Sequence, residues 1–383
     1  MTFTVTMTNS PNAGLAIVRD AHRVFKPLPR EAAATPDFPI APERVELGRM
    51  LFFDPRISID GTVSCSRCHL AALYGTDGLP KWKGAFDRLN DRRAPTVFNA
   101  ALQFKVHWRG DRENVEDQAR KALTFSKSFG NPDNASAMAK LKAIAGYTRI
   151  FQRAFPDEQD PVTADNWGKA IGAYERTLIT PSRFDEYLTG RTEALSKSEQ
   201  QGLRTFMDTG CSGCHNGVVV GGGMFRKFGV VKDYWKETGS QEPDKGRFDV
   251  TMNPADMYVF KFPGLRNVAM EPLYFHDGSV RTLLEAVRIM ARVQLGKTLS
   301  DHDADTIVAF LSSLTGKLPQ NFAEAPVLPP AGLARQRART SEAEIISASS
   351  NGRTEHSTHY SKAPSRQVAP PGGTCEYGRS ELH

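Results

Sequence analysis

The 383-residue sequence has no apolar run approaching the roughly 20 residues that a helix needs to cross a bilayer. A helical membrane span is therefore excluded. It also lacks a strong charge of one sign. The formal net charge of +6 is spread along the chain, which reads as an ordinary solvated surface and calls for no nucleic-acid partner. The N-terminus, Met1-Thr-Phe-Thr-Val-Thr-Met-Thr, lacks the basic and apolar regions of an export signal. Cysteine is scarce, with five in the chain. Four of the five fall in two copies of one pentapeptide, Cys65-Ser-Arg-Cys68-His69 and Cys211-Ser-Gly-Cys214-His215.

Cys-x-x-Cys-His is the attachment signature of c-type haem. Two thiols add to the porphyrin vinyl groups, and the adjacent imidazole reaches the iron. On one helical turn all three side chains face the macrocycle. Paired zinc half-sites usually lie roughly 12 to 20 residues apart, whereas most of a domain separates these two. A thioredoxin-like pair needs neither the following histidine nor a second copy. The expectation is two covalently bound haems, with Cys65, Cys68, Cys211 and Cys214 as attachment points and His69 and His215 as iron ligands. Cys375, in a polar tail, reads as a free thiol. Haem is attached to this motif outside the bacterial cytoplasmic membrane. A periplasmic location is expected although no signal is visible, the signal having been removed or the start misplaced.

At this length two ordinary domains fit, and 40% hydrophobic with 24% charged residues is a globular composition. Residues 1–40, rich in Pro and Ala, read as an irregular lead-in. A helical pattern over Glu43–Phe53 leads into the first pentapeptide. The stretch Leu70–Arg112 is rich in Gly, Pro, Asp and Asn and reads as a long functional loop. Helices are predicted over Ser136–Ile144 and Thr163–Leu178, the latter with Trp167, Ile171, Tyr174 and Leu178 on one stripe. Pro181 marks a boundary. Ser196-Lys-Ser-Glu199 is a capping box for a helix entering the second pentapeptide. Val219–Gly223 reads as a flexible turn. Helices are predicted over Arg281–Met290 and Ser300–Leu314. Gly48-x-x-Leu51-Phe52 and Gly202-x-x-x-Phe206-Met207 form a faint repeat. The fold class is mostly α, with two cytochrome-c-like haem domains in tandem and long loops: residues 41–182, residues 183–325, and a disordered Ser-, Arg- and Pro-rich tail over 326–383.

Several motifs together resemble the bacterial dihaem cytochrome c peroxidases and the related methylamine-utilisation dihaem enzymes. They are Leu51-Phe-Phe-Asp-Pro-Arg56, Ala94-Pro-Thr-Val-Phe-Asn-Ala100, His107-Trp-Arg-Gly110, Glu175-Arg-Thr-Leu178, Phe260-Lys-Phe-Pro263, Leu265-Arg-Asn-Val268, Tyr274-Phe-His-Asp-Gly278 and Gln294-Leu-Gly296. The resemblance covers roughly residues 43–317. It implies a low-potential, peroxidatic N-terminal haem and a high-potential C-terminal haem that receives electrons from a small cytochrome c or cupredoxin. It implies hydrogen peroxide as substrate, Trp108 as the residue between the haems and Met290 as the sixth ligand beside His215. A homodimer is among the assemblies it allows. Read from its helical stripe alone, Met290 is a core residue; the motif match favours the ligand. His276 is expected to be structural, with its ring hydrogen-bonded near the haem edge.

The chain departs from the family at the N-terminal site. Anchored on Ala94-Pro95-Thr96, the displaceable distal histidine is replaced by Ala85, which implies an open iron. The distal glutamate that moves protons is replaced by Ser128 in Lys127-Ser128-Phe129-Gly130. An asparagine that helps hold an interdomain calcium is replaced by Arg93, which puts that ion in doubt. Asp87, His107 and Glu113 are candidates to take over the acid–base role, though each residue type is more often structural. Two other readings stand beside the peroxidase: a dihaem oxidase that modifies a protein or peptide side chain, and a non-catalytic dihaem electron carrier.

Overall fold

The computed structural model describes residues 11–331, with side chains from Ile17's turn onward. The part of the predicted 326–383 tail beyond residue 331, with Cys375 in it, lies outside the described residues. Thirteen helices follow in order: α1 Pro11–Val24, α2 Pro42–Phe53, α3 Cys65–Cys68, α4 Val115–Ala122, α5 Asn134–Lys142, α6 Tyr147–Ala154, α7 Ala164–Glu175, α8 Arg183–Leu188, α9 Lys197–Thr209, α10 Tyr234–Thr238, α11 Phe248–Thr251, α12 Leu283–Leu295 and α13 Asp301–Ser313. Strands β1 Phe225–Lys227 and β2 Val259–Lys261 pair antiparallel, with Arg226 opposite Phe260. Among the described residues no helix is long and apolar enough to cross a membrane.

The helices start where the sequence offers caps. Thr163 accepts from the Asn166 amide at α7, Thr282 from Glu285 at α12, and Ser300 from Asp303 at α13. Ser196 and Glu199 form the predicted reciprocal capping box at α9. Between α3 and α4 the backbone is held by short 3₁₀ turns and single bridges, such as Leu70 with Thr76 and Val106 with Arg112.

Two apolar cores form around two similar helix crossings. In the first, α2 crosses α7 at Gly48, where a Cβ would meet the Ala170 carbonyl oxygen at 1.9 Å and Tyr174 Cβ at 3.0 Å. In the second, α9 crosses α13 at Gly202, where a Cβ would meet the Thr306 oxygen at 1.8 Å and Phe310 Cβ at 3.0 Å. The faint sequence repeat thus marks one geometry used twice. Each time, the helix that enters the Cys-x-x-Cys-His crosses a closing helix with only a hydrogen atom between the backbones.

The ends of the chain differ from expectation. The lead-in is not irregular: α1 occupies Pro11–Val24, and Val18, Ala21 and Phe25 are buried in the second core. Its Ala-rich composition is helix-favouring, and Ile17, Val18, Ala21 and Val24 fall at helical spacing. Phe25 packs edge-on to Phe184 at 5.4 Å. At the other end, Phe322 is buried in the first core, 4.7 Å from the Phe98 ring and 5.8 Å from Phe52. Arg56 donates to the Pro329 carbonyl at 2.9 Å, so the chain is held beyond Pro326, where the tail was expected to begin. Pro181 is exposed, but its neighbours Thr180 and Ser182 are buried, and Thr180 Oγ1 accepts from both Asn99 and Asn267.

Candidate haem sites

Each pentapeptide opens onto a cavity. The first encloses about 1330 Å³ of space free of protein atoms, its open mouth included, and Cys65, Cys68 and His69 line it. The second, about 1310 Å³ on the same measure, is lined by Cys211, Cys214 and His215. All four cysteines are free thiols. In both motifs the histidine amide closes the turn onto the first cysteine, His69 to Cys65 at 3.1 Å and His215 to Cys211 at 3.0 Å.

The two imidazoles are held differently. His69 Nδ1 lies 2.8 Å from the Gly75 carbonyl oxygen, so Nδ1 carries the proton and Nε2 keeps its lone pair. His215 Nδ1 turns toward the Val220–Gly221 backbone without a well-formed hydrogen bond. Burial pushes both rings down to about 4, so both are neutral and able to ligate a metal. A neutral imidazole, two thiols and a cavity of this size, repeated twice, fit a covalently held macrocycle.

The second cavity is mostly apolar, walled by Phe206, Phe228, Phe260, Phe262 and the α12 residues Leu283, Ala286, Val287 and Met290. Met290 is half-buried and belongs to none of the apolar cores, while its neighbour Ile289 points into one. The thioether is therefore brought to the same cavity as His215. His276 also lines this cavity and is 3% exposed. The expected ring hydrogen bond is not there: Nε2 has no hydrogen-bond partner and sits 3.6 Å from Asp244, and the ring stacks on Phe260 at 4.4 Å. Aromatic packing on Phe260 and Tyr234 holds it instead.

Trp108, Arg93 and Lys261 line both cavities. Trp108 Nε1 donates to the Arg93 carbonyl at 3.1 Å, and the Lys261 amide donates to the Trp108 carbonyl at 2.8 Å. The Arg93 guanidinium lies 5.8 Å over the indole, pairs with buried Glu271 at 3.1 Å and donates to the Leu273 carbonyl. Lys261 donates to Gln103, and burial pulls its ammonium down to about 7. The position where the family has its calcium-holding asparagine thus carries a guanidinium with its own carboxylate and carbonyl partners. Among the described residues no group of three His, Cys, Asp or Glu is gathered around a metal-sized space.

On the first cavity's remaining wall, Ser128 is present as expected, 8% exposed. Ala85 is not on the wall. It is fully buried in the first core, and its amide donates to the Ser128 carbonyl at 2.9 Å. Of the three candidate stand-ins, Asp87 is exposed and pairs with Arg67 at 3.2 Å, and Glu113 is 68% exposed and pairs with Lys105. Only His107 lines the cavity. Two further residues on the wall had no assigned role. Glu175, inside a recognised motif, is buried, and desolvation followed by Glu116 pushes its carboxyl up to about 8. Gln118, on α4, carries no local sequence signal.

The di-haem cytochrome c peroxidase family description matches residues 42–193. A cytochrome c551 peroxidase of Pseudomonas aeruginosa is 42% identical over 317 residues, which cover 82% of this chain and 90% of the relative. The methylamine utilization protein MauG of Methylorubrum extorquens is 34% identical over 251 residues, 65% of this chain and 68% of the relative. Among solved structures, a MauG-like protein associated with microbial copper homeostasis superposes with a TM-score of 0.68 at 28% identity, covering 78% of this chain and 97% of its own.

Proposed function

The chain belongs to the di-haem cytochrome c peroxidase family and is an oxidoreductase of that type; from this premise we propose that it reduces hydrogen peroxide at the His69 site with electrons that enter at the His215 site. The observation that carries the reading is the pair of Cys-x-x-Cys-His cavities sharing Trp108 as a common wall. In each cavity the two cysteines would hold a haem by thioether bonds and the histidine would ligate its iron. When bound, the haem supplies an iron that can bind peroxide and exchange electrons with it.

The chain's own residues set the division of labour. The Gly75 carbonyl on His69 Nδ1–H makes that imidazole electron-rich and favours the oxidised metal. His215 lacks such a bond, and Met290 offers a thioether, which raises a haem potential relative to a second imidazole. Both differences support a low potential at the first site and a high potential at the second. Trp108 is fixed through its indole N–H and its carbonyl, so the aromatic ring stays between the two sites as a conduit. Met290 favours the peroxidase over a side-chain-modifying oxidase, for which a tyrosine at this position would be expected.

The two cores and their matching glycine crossings support two cytochrome-c-like haem domains in tandem, meeting near Pro181. The attachment chemistry supports the periplasm, and a small cytochrome c or cupredoxin is the proposed donor. Purified from a host with haem-c maturation, the protein should retain the mass of two haems after denaturation and turn over peroxide against a reduced small cytochrome c. A bare-polypeptide mass would sink the covalent claim. Two retained haems without peroxide turnover would leave an electron carrier.

A further inference from the structure

We propose that His107, oriented by Asp111, is the proton-moving catalytic residue at the His69 site, filling the role left by Ser128. The proposal rests on the peroxidase reading. His107 lines the first cavity, and a third of its side chain remains exposed. Its Nδ1 lies 3.4 Å from Asp111 Oδ1, a buried oxygen with no hydrogen bond of its own. Asp111 is itself anchored by Arg112 at 2.7 Å and Arg109 at 3.5 Å through its other oxygen. The carboxylate therefore faces Nδ1, and Nε2 is left for the cavity. His107 adopts φ +68°, a left-handed conformation rare for a side chain of this kind. That turn, closed by the Gly110 amide on the His107 carbonyl, sets the ring on the cavity side next to Trp108. Burial keeps the ring neutral, with Asp111 opposing, so it can accept a proton.

The step balances without further reagents. His107 Nε2 takes the proton from one peroxide oxygen and returns it to the other. The O–O bond breaks, its electron pair leaves with the doubly protonated oxygen, and that oxygen departs as water. The remaining oxygen takes two electrons from the donor protein and two protons from solvent to give the second water. Asp111 is a positioning residue: it fixes the ring and stabilises the imidazolium that forms midway. General acid–base groups of this kind contribute about 10²–10⁴-fold.

The test uses the two-haem protein and two readouts by stopped flow. One is the rate of peroxide consumption. The other is the rate of cyanide association, since hydrogen cyanide must lose its proton on binding. His107→Asn keeps a residue that tolerates left-handed backbone, and His107→Ala is the second variant. Haem content and resting spin state are recorded for each. Both substitutions should slow both processes, peroxide by about 10² or more, with haem content unchanged. Asp111→Asn should cost about 10–100-fold, as loss of an orienting partner does. Unchanged rates in both His107 variants would overturn the proposal. So would a low-spin wild type that turns high-spin in His107→Ala, because His107 would then be an iron ligand. If the wild type consumes no peroxide but cyanide association still depends on His107, the peroxidase reading fails and the assignment of His107 stands.

Discussion

Replacing Gly48 or Gly202 by Ala should destabilise one core each and leave the other intact. At Gly48 the added Cβ starts 1.9 Å from the Ala170 oxygen and at Gly202 1.8 Å from the Thr306 oxygen, whereas real contacts essentially never fall under 3.0 Å. The obstacle is helix backbone on both sides, so no side-chain rotation relieves it. The helices must part by about an ångström, and a gap of 0.5–1 Å already forfeits roughly a quarter to a half of each dispersion contact along the seam. Phe52 against Tyr174, with ring centres 5.4 Å apart, is one of the contacts stretched. Overpacking of this kind costs about 1–3 kcal/mol or more, and a backbone clash belongs at the top of that range. Alanine's better helix propensity returns about 1 kcal/mol. The net loss is about 2 kcal/mol, or about 3 °C in Tm at about 2.1 cal/mol/K per residue over roughly 320 described residues. Gly223→Ala, where the nearest atom is 4.0 Å away, is the control. Thermal melts followed by far-ultraviolet circular dichroism and haem absorbance should separate the three. If Gly48→Ala and Gly202→Ala melt within about 0.5 kcal/mol of the control, the crossings are not as tight as described and the reasoning fails.

Met290→His should lower the potential of the second haem while haem content stays near wild type; an unchanged potential and an unchanged ferric charge-transfer band would make Met290 a packing residue. Apart from His69, the wall of the first cavity carries a single imidazole, His107, which is assigned to proton transfer rather than ligation, so the first iron should be high-spin in the fully oxidised protein and bind cyanide without prior reduction. Ser128→Glu should speed peroxide cleavage, and two low-spin haems at rest would refute the open site. Glu175 is held neutral in the folded state, its carboxyl raised from 4.5 to about 8. Its contribution to stability is therefore full below about 4.5 and is lost as pH rises through about 8. Glu175→Gln should flatten that fall, measured as urea midpoints across this window, and parallel curves for the two proteins would contradict it.

The features legible in the sequence were those carried by near neighbours. A haem attachment turn is five consecutive residues, and a helix start is a cap and its partner three residues on, so both pentapeptides and the caps at Thr163, Ser196 and Ser300 could be read directly. Met290 and Trp108 needed a motif match, because their stripes and neighbours alone favour packing. The shared wall was not readable. Arg93, Trp108 and Lys261 come from segments up to 168 positions apart and meet only through tertiary contacts, such as the Lys261 amide on the Trp108 carbonyl and the Arg93 guanidinium over the indole. The sorting of Asp87, His107 and Glu113 was equally hidden. Left-handed residues at Asp87 and His107 reverse the direction in which their side chains leave the chain, and no local pattern announces that. The α1 segment reads as irregular from its proline and alanine content alone, whereas a proline at the first position of a helix is well tolerated.

The exchange of ends has a consequence for how the molecule is made. Among the described residues, helix α1 finds its apolar partners far downstream, in residues 184–314, while the first core is not closed until Phe322 arrives against Phe52 and Phe98. Neither half can finish folding on its own as the chain emerges, so both attachment turns remain accessible in a loosely packed polypeptide until nearly the whole chain is present. Haem attachment outside the cytoplasmic membrane then meets thiols that stay accessible until the last residues of the cores have arrived there. Cofactor insertion and final compaction become a single late event, because sequence-distant contacts form last.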